Sequence, residues 1–153
     1  LPPLTRRPYT SPDVVFLVFV QRSDPRVDLV GLVRNAGRHF GVDLEILSED
    51  ASTVSLRLGG ACFTIRPRAA TDADRTRAQG AELRGRAAGM SALADRCETI
   101  WEIAADAGTP ELALHQLCGV AASVALGPVL PPDDSTLYGV RGAMRRIDAL
   151  QKA

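Results

Sequence analysis

Histidine, cysteine and aromatic residues are all scarce in this chain of 153 residues, which holds two histidines, three cysteines and 5% aromatics. A zinc centre needs four nitrogen or sulfur ligands, or three plus water, and no spacing of His39, His115, Cys62, Cys97 and Cys118 supplies them. The cysteines are odd in number, widely separated and set among apolar neighbours. They read as reduced, buried thiols of a cytoplasmic protein rather than a disulfide framework. No apolar run approaches the roughly 20 residues of a membrane-spanning helix, and the opening LPPLTRRPYTSP lacks the apolar core of a signal peptide, so neither a membrane partner nor secretion is expected. Acidic and basic residues balance at 18 each, which argues against a nucleic-acid partner or an acidic-lipid surface. Phosphate-cradling glycine motifs are absent as well, so no cofactor is implied.

What the sequence does contain is a strong apolar strand. DVVFLVFV, at Asp13–Val20, lies between turn signals, Ser11-Pro12 before it and Ser23-Asp24-Pro25 after. Seven successive apolar residues are too few for a helix, and β-branched and aromatic side chains favour a pleated strand. Alternation sends Val14, Phe16, Val18 and Val20 to one face and Val15, Leu17 and Phe19 to the other. Both sets are apolar, so the strand is expected at the centre of a sheet covered on both sides.

Residues 1–12, with four prolines, read as an extended arm, and 13–153 as a single domain. Asp24-Pro25 reads as a capped helix start, with Leu29, Val30, Val33, Ala36 and Phe40 on the inward face and Gly41 as the stop. Three alternating strands are expected next: one from Val42 to Ile46, another over Val54–Leu58, and a third over 61–66, the last two joined by a Gly59-Gly60 hairpin turn. Thr71 and Asp74 form a capping arrangement for a long helix to about Ala94, with Ala73, Thr76, Gly80, Leu83, Ala87, Met90 and Ala94 inward and Gly85 and Gly89 as weak points. A fifth strand is expected over 97–105, with Cys97, Thr99, Trp101, Ile103 and Ala105 sharing a face. Thr109-Pro110 then opens a deeply packed helix that Gly127-Pro128 ends, and Val140, Ala143, Met144, Ile147 and Leu150 mark a closing amphipathic helix.

The steps from Val20 to Pro25 and from Ala105 to Pro110 are equal, each joining an apolar strand to a proline-started helix. Two such units with a hairpin between them predict an α+β fold. Its plan is a ferredoxin-like split βαβ: a mainly antiparallel sheet of about five strands, strands one and five adjacent and parallel, with three to four packed helices. The leading strand, the Leu58-Gly59-Gly60-Ala61 hairpin and the strand–T-P–helix segment over 101–126 resemble an uncharacterised bacterial α+β domain family. Pro67-Arg68 departs from the proline pair of that pattern. The resemblance implies a fold and no activity.

Candidate chemistry is sparse, and no catalytic residue or metal ligand set is assigned. His115 and Cys118 stand one helical turn apart, yet Cys118 falls towards the buried arc and His115 on the polar one. The arginines between 66 and 86 scatter around their helix instead of forming a stripe. If the helices cover the Phe63/Ile65/Trp101/Ile103 side, the opposite face carries Arg57, Thr64, Arg66, Glu98, Ile100 and Glu102. That mixture of apolar and charged groups suits a protein-interaction module of regulatory, scaffold or immunity type, binding a protein partner or a second copy. The alternative is a small-molecule binder or small enzyme, its pocket near the 127–139 loop and gathering Cys62, Asp133, Asp134 and Arg57.

Overall fold

The computed structural model describes residues 13–152, and the arm expected over 1–12 lies outside the described residues. In chain order the elements are β1 (Asp13–Val20), α1 (Leu29–Phe40), β2 (Leu44–Glu49), β3 (Val54–Leu58), β4 (Ala61–Ala69), α2 (Asp72–Gly85), α3 (Met90–Asp95), β5 (Thr99–Asp106), α4 (Glu111–Ala125), β6 (Val129–Leu130) and α5 (Val140–Lys152). They form an α+β domain around one sheet of order β2-β3-β4-β5-β1-β6, in which every neighbouring pair is antiparallel. β1 takes the interior position its composition demands, paired with β5 from Asp13↔Asp106 to Val20↔Thr99 and flanked by β6.

Two cores follow from the alternation along β1. Phe16, Val18 and Val20 join Phe63, Ile65, Trp101 and Ile103 beneath α1, α4 and α5, while Leu17 and Phe19 join Ile100, Ala78, Ala81 and Ala94 beneath α2 and α3. β1 and β5 are thus covered on both faces, with α2 and α3 closing the second one. Small inward residues let α2 lie close to the strands. Its buried positions are Asp74, Ala78 and Ala81, while Leu83 of the expected stripe is 80% exposed.

Strands β1 and β5 are adjacent as expected but antiparallel, and the helix between β4 and β5 gives the reason. Instead of one helix to Ala94, the chain breaks after Gly85, passes Arg86 and Gly89 in left-handed geometry (φ 52° and 88°), and resumes as α3. The segment therefore returns to the end of the sheet it left, where Ala70 N donates to Glu98 O at 2.9 Å. A single long helix would have delivered β5 to the opposite end and reversed it. Because β5 and β6 both run antiparallel to β1, β5–α4–β6 is a strand–helix–strand unit with β1 inserted between its strands.

Smaller departures have local causes. Asp28, not Asp24, caps α1, accepting from Gly31 N at 2.9 Å. Asp24 instead holds Arg26, and the Pro25 carbonyl accepts the indole N–H of fully buried Trp101 at 3.0 Å. The inward face of α1 runs through Leu32 and Ala36, leaving Val30 and Val33 exposed. Cys97 precedes β5 and packs with Ile100 on the α2–α3 side. Pro110 itself occupies the N-cap position of α4, with Thr109 outside the helix.

Gly59 and Gly60, at φ 60° and 80°, form the tight turn of the β3–β4 hairpin, the left-handed pair that glycine adopts without steric cost. The outermost strand, β2, carries a register shift between Ile46 and Ser48, and Asp43, Glu45, Glu49 and Asp50 are exposed along or beside it.

Candidate functional site

The loop that follows α4 contributes a strand and one wall of a pocket. Val129 and Tyr138 bridge each other through two backbone hydrogen bonds (2.7 and 3.2 Å), which pins Tyr138 beside the edge of the sheet. Between them, Asp134 N closes a turn on Pro131 O at 3.1 Å, and Asp134 takes the left-handed conformation (φ 56°). The two aspartates then diverge. Asp134 turns towards α2, receiving Arg77 at 2.7 Å while Arg84 donates to its carbonyl at 2.9 Å. Asp133 turns the other way, accepts Ser135 N at 3.1 Å, and stands at the rim of a cavity of about 430 Å³.

That cavity lies between α4, α5 and the proline loop. Phe16, His115, Pro131, Pro132, Asp133, Ser135, Tyr138 and Arg146 line it. Its volume falls near the lower end of the ~300–1,000 Å³ typical of small-molecule sites, and its mix of apolar walls and a few polar groups is the usual one. The Tyr138 ring organises it. The Arg146 guanidinium lies over that ring at 4.1 Å from the centroid, and His115 meets it edge-on at 6.4 Å. Both contacts suit the negative face and positive rim of an aromatic ring.

Two polar atoms here are shut off from solvent without a hydrogen-bond partner, His115 Nδ1 and Tyr138 Oη. The neighbour of Oη is the Cys118 thiol, a weak partner that does not complete a bond of proper geometry. The third such atom among the described residues, on Arg22, lies 3.4 Å from the Asp28 carboxylate. Both atoms belong to lining residues but are closed to solvent, so they lie behind the pocket surface, and each unsatisfied buried atom costs about 1–3 kcal/mol.

Burial sets the ionisation of these groups. It pushes the Cys118 thiol up to about 12 and the Tyr138 phenol well above its ordinary range. The same burial, followed by the charge of Arg146, lowers the His115 pKa, so the imidazole is neutral at pH 7.

The residues singled out in the sequence fall in three separate places. Arg57, Thr64 and Arg66 are exposed on the open half of the sheet, where Arg57 lies 3.7 Å from Glu45. Ile100 is fully buried under α2 and α3, so the expected apolar centre of that face is not accessible. Glu102 is half-buried and tied to Arg68 at 2.6 Å, and Glu98 is exposed just ahead of β5. Cys62 lines a cleft of about 480 Å³ with Leu47, Ser55 and Thr64. Of the groups proposed for a loop pocket, only Asp133 reaches the cavity. Sequence reasoning missed Phe16, Tyr138 and Arg146 as lining residues; the one available hint was a tyrosine, one of two in the chain, placed in the proline loop.

Among the described residues no three His, Cys, Asp or Glu side chains gather as a metal site would need, and no helix is long and apolar enough to cross a membrane. No protein-family model, curated protein or solved structure matches the chain.

Proposed function

We propose that this protein binds a small molecule in the pocket between α4, α5 and the 131–135 loop. The carrying observation is a cavity of ligand size in which apolar walls from Phe16, Pro131 and Pro132 meet the polar side chains of His115, Asp133, Ser135 and Arg146. Binding without turnover fits the chemistry better than catalysis. Thiol and phenol are both held in their protonated forms, the opposite of what activates a nucleophile or a general base.

The test is a fragment screen followed by ¹H–¹⁵N correlation spectra. Hits that shift the amides of His115, Ser135, Tyr138 and Arg146, and that bind a Ser135→Trp variant, whose ring would occupy the cavity, more weakly, support the reading. A screen whose hits map elsewhere, or that yields none, refutes it.

A second reading retains the open half of the sheet as a contact surface for a protein partner or another copy. Its support is the exposed row of Arg57, Thr64 and Arg66 beside Leu47, which is 41% exposed. Charge reversal at Arg57 and Arg66 that leaves every captured partner and the oligomeric state unchanged would eliminate it.

A further inference from the structure

The polar groups around the pocket are unequal, and their inequality specifies a ligand. Arg146 is the one arginine or lysine in the lining. It donates once, from Nη1 to the carbonyl of Gly142 at 3.1 Å within its own helix. No carboxylate lies within ion-pair distance of it among the described residues, although six other arginines have such partners. Its plane is held over Tyr138, so its remaining N–H groups are positioned without being consumed. A guanidinium with spare donors in fixed geometry matches a carboxylate, which accepts two parallel hydrogen bonds.

Asp133 complicates a purely anionic ligand. It is exposed at the rim, and one of its oxygens already accepts Ser135 N. A bare anion would be repelled there, whereas a ligand carrying an N–H or O–H group would meet it favourably. The apolar body of such a ligand has Phe16, Pro131 and Pro132 to pack against.

We propose that the ligand of this pocket is a small organic acid with an apolar body and a hydrogen-bond donor next to its carboxylate, the carboxylate seated on Arg146 and the donor facing Asp133. This rests on the pocket reading given above, and the experiment separates the two.

Three probes of one size are titrated against the protein and followed by amide shifts: mandelate (acid plus hydroxyl), phenylacetate (acid alone) and 1-phenylethane-1,2-diol (hydroxyls alone). The expected order of affinity is mandelate, then phenylacetate, then the diol, with at least about a tenfold gap between mandelate and the diol, as a charged hydrogen-bonded contact implies. Arg146→Gln should bring both acids down to the level of the diol and leave the diol unchanged, while Arg146→Lys, which keeps the charge, should recover part of the loss. Binding of the acids should also raise the titration midpoint of His115. A diol that binds as tightly as mandelate, or a mandelate affinity indifferent to Arg146→Gln, overturns the acid assignment while the pocket stands. Equal affinities for mandelate and phenylacetate overturn the donor assignment. Failure of all three probes to shift the pocket amides at millimolar concentration overturns the pocket reading as well.

Discussion

Replacing Arg68 by methionine should destabilise the protein by about 2–3 kcal/mol at neutral pH, and most of that effect should vanish in acid. The Asp74 carboxylate is 4% exposed and receives Arg68 Nη1 and Nη2 at 2.7 and 2.9 Å, along with Thr71 N at 2.8 Å and Oγ1 at 3.0 Å. The Nε of Arg68 holds Glu102 on β5 at 2.6 Å, so one guanidinium joins the start of α2 to two strands. These bonds, led by those from Arg68, hold the Asp74 pKa at about 2, against 3.8 for a free aspartate. That depression corresponds to about 2 kcal/mol. The sign is that of a lowered acid: the unfolded chain binds the proton first, so the contribution is complete above pH 3.8 and fades as pH falls towards 2. Methionine keeps much of the apolar stem but strands a buried carboxylate; the partial exposure of Arg68 (29%) keeps the loss at or below the ~3–5 kcal/mol lost when a fully buried pair is broken. Urea unfolding followed by Trp101, the sole and fully buried tryptophan, supplies the assay. Wild type and variant should differ by about 2–3 kcal/mol at pH 7, and the difference should shrink below pH 3.8 and largely disappear only at about pH 2. A difference under about 0.5 kcal/mol at pH 7, or one that persists undiminished in acid, would refute the assignment.

Gly127→Ala should cost about 3 kcal/mol or more or prevent folding, because its Cβ would sit 1.9 Å from the backbone oxygen of Phe19 on the central strand; thermal unfolding checks it. Tyr138→Phe should leave stability unchanged or raise it by up to about 1 kcal/mol, since it deletes an unsatisfied hydroxyl, so a loss beyond about 2 kcal/mol in urea would mean that Oη is bonded after all. Of the three thiols, Cys62 is exposed, whereas burial puts Cys97 at about 11 and Cys118 at about 12. A disulfide reagent at pH 8 should therefore modify one thiol per native chain quickly and the other two only on unfolding.

Much of the fold was legible because single segments encode it. The unbroken apolar run of β1 requires cover on both faces, and Gly59-Gly60 between two alternating strands requires a tight hairpin; each inference uses only neighbours in sequence. The direction of β5 was not legible in this way. Gly85 and Gly89 are compatible with a weakened helix or a broken one, and the choice between them reverses a strand. What selects the break is tertiary: a Cβ at Gly85 would lie 2.0 Å from Thr136 Oγ1, so the helix stops where the proline loop meets it, and Glu82 caps the restart by accepting Ser91 N at 2.8 Å. The pocket was legible only as a location. Its lining comes from β1, α4, the loop and α5, residues 16 to 146, and no local spacing relates Arg146 to Tyr138 across the first turns of α5. Asp133 and Asp134 look equivalent in sequence, and the left-handed turn at Asp134 sends their carboxylates to different neighbours.

The margins of the sheet bear on how the molecule behaves in a crowd. On one side, β2 offers open backbone, yet Glu45, Glu49 and the flanking Asp43 and Asp50 put acids along it, and the slip at Ile46/Ser48 spoils its register. Two copies aligned there would set carboxylate against carboxylate over a mismatched ladder. On the other side the sheet ends in the two-residue β6, whose Val129 is already occupied by Tyr138. With repulsion at one end and a plug at the other, strand-by-strand polymerisation has no template at neutral pH, and gelation or fibre growth at high concentration should require that the acids first be neutralised.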